Sequence, residues 1–178
     1  MRRTKQQKGM KFSVVLLILS SSICASAQVD RAKTDRKKII AALHKCSTKA
    51  STSDCEVAAE QAIDLFHRGD KQILASLLDL GLKSDGDLAE LIGSFLGEDV
   101  LWKNPRLFLN AIVSRPRRQQ EELSFSAGAM DGSGMPKEIL RGVRSNLRRM
   151  SRQQNEPLAA IARLCLSRVE AANRAARN

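Results

Sequence analysis

Tyrosine is absent from this 178-residue chain, and histidine occurs only at His44 and His67. The side chains that most often move protons near neutral pH are therefore scarce. No His-Glu-x-x-His pair, glycine-rich phosphate loop or Gly-x-Ser-x-Gly turn is present, so the metalloprotease, phosphate-loop and α/β-hydrolase signatures are all missing. Aromatic residues make up 3% of the chain. Beyond the first 27 residues they are Phe66, Phe95, Trp102, Phe108 and Phe125, mostly at apolar-periodic positions that suit a core better than a platform for stacked bases. No apolar run past residue 27 approaches the roughly 20 residues of a membrane-spanning helix.

The N-terminus holds the strongest signal. Arg2, Arg3, Lys5, Lys8 and Lys11 precede the apolar run Phe12 to Leu19, and Ala25-Ser26-Ala27 follows. A basic start, a short apolar core and two small residues spaced for a signal peptidase make residues 1–27 a secretory signal peptide, cleaved before Gln28. Met10-Lys11 begins an equally good signal, so Met10 is an alternative start. Ile23 stands before Cys24 where a lipoprotein signal wants a small residue, which disfavours lipidation. The expected destination is periplasmic or extracellular.

Residues 28–178 then form a single all-helical domain, long enough to bury roughly 70% of its unfolded surface. Five of the 30 basic residues leave with the leader, lowering the formal charge from +11 to +6. The remainder is uneven: residues 28–114 carry −1 and residues 115–178 carry +7. The C-terminal half is the cationic one. Cys46, Cys55 and Cys165 remain, and an oxidising compartment favours pairing of neighbouring cysteines. Cys46 and Cys55, with the eight residues of a Ser/Thr-rich link between them, are the expected disulfide. Cys165 lies on an apolar helical stripe and reads as a buried free thiol.

Apolar residues recur at three- and four-residue spacing and nowhere alternate long enough for a strand. The fold class is all-α, with about eight helices in a compact stack of antiparallel hairpins, α-solenoid-like or an irregular bundle. Ser53 with Glu56, and Ser84 with Asp87, have the spacing of capping boxes. Asp70, Asn104 and Asn155 are further caps. Leu88, Leu91, Ile92, Phe95, Leu96 and Trp102 trace one long amphipathic stripe. A short helix from Arg106 to Ser114 is apolar all round and is expected to be the most buried. A polar helix from Pro116 ends near Leu123, and the small, Gly-rich residues near 126–134 are expected to form a flexible loop. Pro136 and Pro157 open the last two helices.

The best functional hint is the helix after Pro136. At 100° per residue, Ile139, Leu140, Val143, Leu147 and Met150 fall within about 100° of arc, while Lys137, Arg141, Arg144, Arg148 and Arg152 fall within about 80° on the opposite side. Arginine pairs bidentately with phosphate and carboxylate. The stripe, joined by Arg115, Arg117 and Arg118, thus suits an acidic protein, a cell-wall polymer or an anionic headgroup surface. An ordinary solvated face is the plainer explanation. Nucleic acid is disfavoured by export and by the scarcity of exposed aromatics.

Other motifs have complete structural explanations. His44, Cys46, Cys55 and His67 are zinc-type ligands, but their spacing matches no common zinc pattern and a disulfide competes for the thiols. Asp85-Gly86-Asp87 and Asp131-Gly132 lack the remaining acids of a calcium loop. Arg68-Gly69-Asp70, an adhesion-type tripeptide, is accounted for by a glycine ending one helix and an aspartate capping the next. No metal and no cofactor is indicated. The expectation is an exported, non-catalytic helical protein that binds another macromolecule. The alternatives are a small enzyme using carboxylates among Glu56, Glu60, Asp64, Glu90 and Asp99, or an envelope structural protein without a discrete site.

Overall fold

A computed structural model describes residues 35–46 and 53–178, and the chain divides between Lys38 and Ile39, so the helical body is Ile39–Asn178. The leader, its cleavage site, Cys24 and the alternative start at Met10 lie outside the described residues. Among those described, every regular element is a helix. Helix α1 covers residues 35–46. It is followed by α2 (Ser53–His67), a 3-10 turn (Lys71–Ile73) running into α3 (Leu74–Gly81), and α4 (Gly86–Ser94), which continues as a π-helical stretch (Phe95–Trp102). Then come α5 (Pro105–Ile112), α6 (Arg117–Ala129), α7 (Lys137–Met150) and α8 (Glu156–Ala175). The result is an all-helical bundle of about eight helices.

Local chemistry sets most of the boundaries. Gly69 takes a φ of +107° to end α2, and Asp70 Oδ1 accepts from the Gln72 amide at 3.2 Å to start the next turn. Asn104 Oδ1 accepts from Leu107 N at 3.1 Å, and Asn155 Oδ1 from Leu158 N at 3.2 Å. Each cap satisfies a donor the first helical turn leaves free. The expected cap at Ser84 is replaced: Asp85 occupies the cap position of α4 without a side-chain hydrogen bond, and Ser84 Oγ donates back to Gly81 O.

Helix α6 is the centre of the packing. It runs six residues past the expected end at Leu123, so Ser126–Ala129 are helical and the linking loop starts only at Met130. Small residues there serve close approach, not disorder. A Cβ at Gly93 of α4 would stand 2.4 Å from Met130 O, and one at Gly128 would stand 2.7 Å from Val169 Cα of α8. Helices α4 and α8 therefore meet opposite sides of α6 at near backbone contact. Asn173 fastens the end of this sandwich. Buried in α8, it donates to Gly128 O at 3.0 Å and to Val169 O at 2.9 Å, and its Oδ1 accepts from Met135 N at 2.8 Å.

The stripe from Leu88 to Trp102 is only partly as expected. Apolar spacing widens after Leu96, and the broader π turn keeps Leu96, Val100 and Leu101 fully buried. The same change of pitch carries Trp102 off that side, leaving it 39% exposed. Helix α5 is less enclosed than its composition suggests: Phe108, Leu109 and Ile112 are buried, but Leu107, Ala111 and Val113 are only partly so. Non-successive helices also touch, α5 with α8 and α7 with the π-helical stretch. A solenoid repeat packs only against its neighbours, so the irregular bundle is the arrangement present.

Cys46 and Cys55 form the expected disulfide between α1 and α2, with Cα atoms 5.6 Å apart. Cys165 is a free, fully buried cysteine. Burial pushes its thiol up to about 12, with the Ser124 hydroxyl pulling weakly the other way.

Candidate functional site

The side of α7 that faces the bundle is the one its sequence marks out. Ile139, Leu140, Val143, Leu147 and Met150 are buried, which leaves the cationic stripe outward. Lys137, Arg141, Arg144, Arg148 and Arg152 line one open groove with Leu140, Ser145, Arg149 and Arg177. Seven cations thus share a single concave surface, and no carboxylate lines it.

The cations are not equivalent. Glu170 of α8 lies beside the middle of the stripe, with Oε1 3.1 Å from Arg144 Nε and 3.8 Å from Arg148 Nη2. Arg144 Nε is buried and has no hydrogen bond, so this contact is a charge pair with its N–H aimed elsewhere. Arg149 Nη2 donates to Asn146 Oδ1 at 3.0 Å, a neutral partner. Lys137, Arg141, Arg152 and Arg177 have no acidic partner among the described residues. The groove therefore has two unneutralised ends and a partly neutralised centre.

Like charges stacked along a helix repel. Lys137 and Arg141 are four residues apart, Arg141 and Arg144 three, Arg144 and Arg148 four, and each such pair costs about 0.2–0.5 kcal/mol. The stripe is thus a net cost to α7 that Glu170, and Glu138 three residues before Arg141, only partly relieve.

Arg115, Arg117 and Arg118 are not brought to this groove. Arg115 is used structurally: Nη1 donates to Asp79 Oδ1 at 2.6 Å and Nη2 to Ala75 O at 3.3 Å. Arg117 Nε donates to Glu121 Oε1 at 2.9 Å, and Arg168 of α8 holds the other oxygen of the same carboxylate. These two hydrogen bonds hold the Glu121 carboxyl below its ordinary range. Arg118 lies in a separate polar hollow with His44, Asp79, Lys83, Gln119 and Glu122. Proximity in sequence to the cationic half suggested a shared surface. The intervening turn and α6 separate them.

Arg149, Arg177 and Glu170 are the residues that sequence reasoning missed. Arg149 lies about 100° round the helix from Arg148, about 60° beyond the edge of the counted arc. Arg177 arrives through tertiary structure, because Asn173 docks the end of α8 onto Met135 and Ala176 lies beside Gly134. Helical periodicity marks no contact between α7 and a residue more than twenty positions later.

The remaining motifs resolve into structure. With Cys46 and Cys55 joined to each other, no thiolate pair is left for the His44, Cys46, Cys55, His67 set, and no described group of three or more His, Cys, Asp or Glu could hold a metal ion. Asp131 Oδ1 accepts from Ser133 N at 3.0 Å and Ser133 Oγ at 2.6 Å, a self-contained turn. Those hydrogen bonds lower the Asp131 pKa. Of the carboxylates considered for acid–base work, Glu60, Asp64 and Glu90 are exposed and Glu56 is half-buried. Asp99 pairs with His67 Nε2 at 3.3 Å and also with Lys103. No described helix is long and apolar enough to cross a membrane. In comparison with known proteins, the chain matches no family model, no curated protein and no solved structure.

Proposed function

We propose that the protein is exported and works by contact, not catalysis: the groove along α7 docks an anionic macromolecule of the cell envelope or its surroundings. Lys137, Arg141, Arg144, Arg148 and Arg152 are the contact residues, with Arg149 and Arg177 completing the surface. The observation that carries this reading is seven cations on one concave surface, four of them without an acidic partner among the described residues. A solvated face chosen for folding alone would intersperse charges of both signs. Export is supported by the basic, apolar and small-residue order of residues 1–27 and by the Cys46–Cys55 bridge, a bond that persists in oxidising compartments.

The test uses the mature protein and two variants of equal net charge. Arg141→Glu, Arg148→Glu and Arg152→Glu together alter the groove; Lys83→Glu, Arg106→Glu and Arg118→Glu together alter exposed cations elsewhere. Retention by envelope material from the native cell is expected to fall in the first and persist in the second. Equal losses would assign retention to net charge and overturn the site. N-terminal sequencing of the exported protein is expected to begin at Gln28.

A further inference from the structure

The groove has a length and a shape as well as a sign. We infer that its ligand is a linear anionic glycan, an unbranched sugar chain carrying sulfate, phosphate or carboxylate groups at regular intervals; this rests on the reading of the groove as the docking site. From Lys137 to Met150 α7 runs about 20 Å at 1.5 Å per residue, with neighbouring cations on it about 5–6 Å apart at Cβ and Arg152 in the turn just past its end. That is a one-dimensional array, suited to a chain of charges more than to a single anion.

The distribution of charge makes the same point. Glu170 already occupies Arg144 and Arg148 at the centre. The cations without an acidic partner lie towards the ends, Lys137, Arg141 and Arg177 at one and Arg152 at the other. Arg177 belongs to the first end because the C-terminus of α8 packs beside Gly134, just ahead of α7. One small anion reaches one end only. A chain reaches both and displaces or shares Glu170 between them.

Other classes of anionic partner fit less well. The exposed large apolar residues Val57, Trp102 and Phe125 are not among the residues lining the groove. The lining itself therefore offers no large exposed apolar side chain to insert into a bilayer and no ring on which a base could stack, the indole of Trp102 lying against Gly142 on the flank of α7. Its one apolar lining residue, Leu140, is itself buried, so apolar contact in the groove comes from the Arg and Lys stems and not from an aromatic or aliphatic anchor of the kind that dominates most protein contacts. Dense Arg and Lys is a pattern that nucleic-acid and heparin patches share, and the absence of an aromatic ring from the lining favours the glycan of the two.

The test is a titration of the mature protein with heparin-derived oligosaccharides from disaccharide to dodecasaccharide. Uronate oligomers and phosphate-bearing glycan oligomers serve as arms that distinguish the anionic group; single-stranded DNA, anionic vesicles and an acidic peptide serve as competing classes. Affinity is expected to climb until the oligomer spans about 20 Å, the length of α7, and then level, with the disaccharide at least tenfold weaker than the longest chain. The logarithm of affinity should fall against the logarithm of salt with a slope of about −4 for five engaged cations, at about 0.7–0.9 per charge. Glu170→Gln releases Arg144 and Arg148, so it is expected to tighten long-chain binding up to about fivefold, the scale of one exposed ion pair. Affinity independent of length, tighter binding of DNA, vesicles or acidic peptide than of any glycan, or weaker binding by Glu170→Gln would each overturn the inference. If glycans fail while the groove variant still loses envelope retention, the ligand class is wrong and the site stands. If retention is indifferent to the groove variant, the site itself is wrong.

Discussion

Reversing the charge of Arg141 separates a surface kept for binding from one that merely meets water. Arg141 is exposed, has no acidic partner among the described residues, and stands four residues after Lys137 and three before Arg144. Each of those like-charge pairs costs about 0.2–0.5 kcal/mol, and a glutamate at the same position turns both into attractions of similar size. The swing is about 0.4–1 kcal/mol per neighbour, and Glu138, three residues before Arg141, swings the opposite way by a similar amount, so the net gain is about 0.4–1 kcal/mol. Helix propensity barely changes, since Arg and Glu are near equals, and an acid in the first half of α7 is not opposed by the helix dipole. Arg141→Glu should therefore stabilise the protein, raising Tm by about 2–4 °C for each kcal/mol in a chain of this size. Thermal melts at low ionic strength measure it, and the gain should shrink at high salt as the charges are screened. Binding of anionic envelope material should fall in the same variant. A variant that is neutral or destabilised at low salt would refute the reasoning, because the stripe would then not be self-repulsive.

Three further perturbations test the frame that holds the groove. Asn173→Ala removes the side chain that joins Met135, Gly128 and Val169 and leaves buried backbone groups unpaired; a loss of about 2–4 kcal/mol is expected, read as a lower urea midpoint at unchanged m. Reduction of Cys46–Cys55, nine positions apart, should cost about 2.5 kcal/mol in the chain-entropy model, seen as a lower Tm in reductant and absent in a variant with both cysteines replaced by serine. The Cys165 thiol titrates near 12 when folded and near 8.5 when unfolded, so the unfolded chain gives up its proton first as pH rises. Stability from this thiol is complete below about pH 8.5 and declines towards pH 12, at up to about 1.4 kcal/mol per pH unit. Cys165→Ala should show a shallower loss over that window, and equal slopes would contradict the burial argument.

Periodicity was enough to mark the helices and the inward faces of α7 and α8, because burying one face of a 3.6-residue repeat leaves a regular trace. The same holds for caps with an Asp or Asn at the first turn, such as Asn104 and Asn155. It failed where close packing replaces side-chain burial. Ser126–Ala129 look like loop residues by composition, yet their small size is what admits α4 and α8 to the surface of α6. The π-helical turn at Phe95–Trp102 defeated a fixed 100° step and misplaced Trp102. In the groove, the five residues on one helix were legible from their spacing. Arg177 and Glu170 were not, since their places depend on how the end of α8 docks. Arg115, Arg117 and Arg118 were grouped with the stripe by local charge density, but folding spends them on Asp79, Glu121 and a separate hollow.

The most direct test of the central claim is the salt dependence of retention by native envelope material, compared between the mature protein and its Arg141→Glu, Arg148→Glu, Arg152→Glu form. The native protein should lose affinity with a logarithmic slope of about −4, while the altered form, with three of its groove charges reversed, should bind weakly with a slope near zero. Parallel slopes and equal affinities in the two forms would contradict the claim that the α7 groove is where this protein makes its contact.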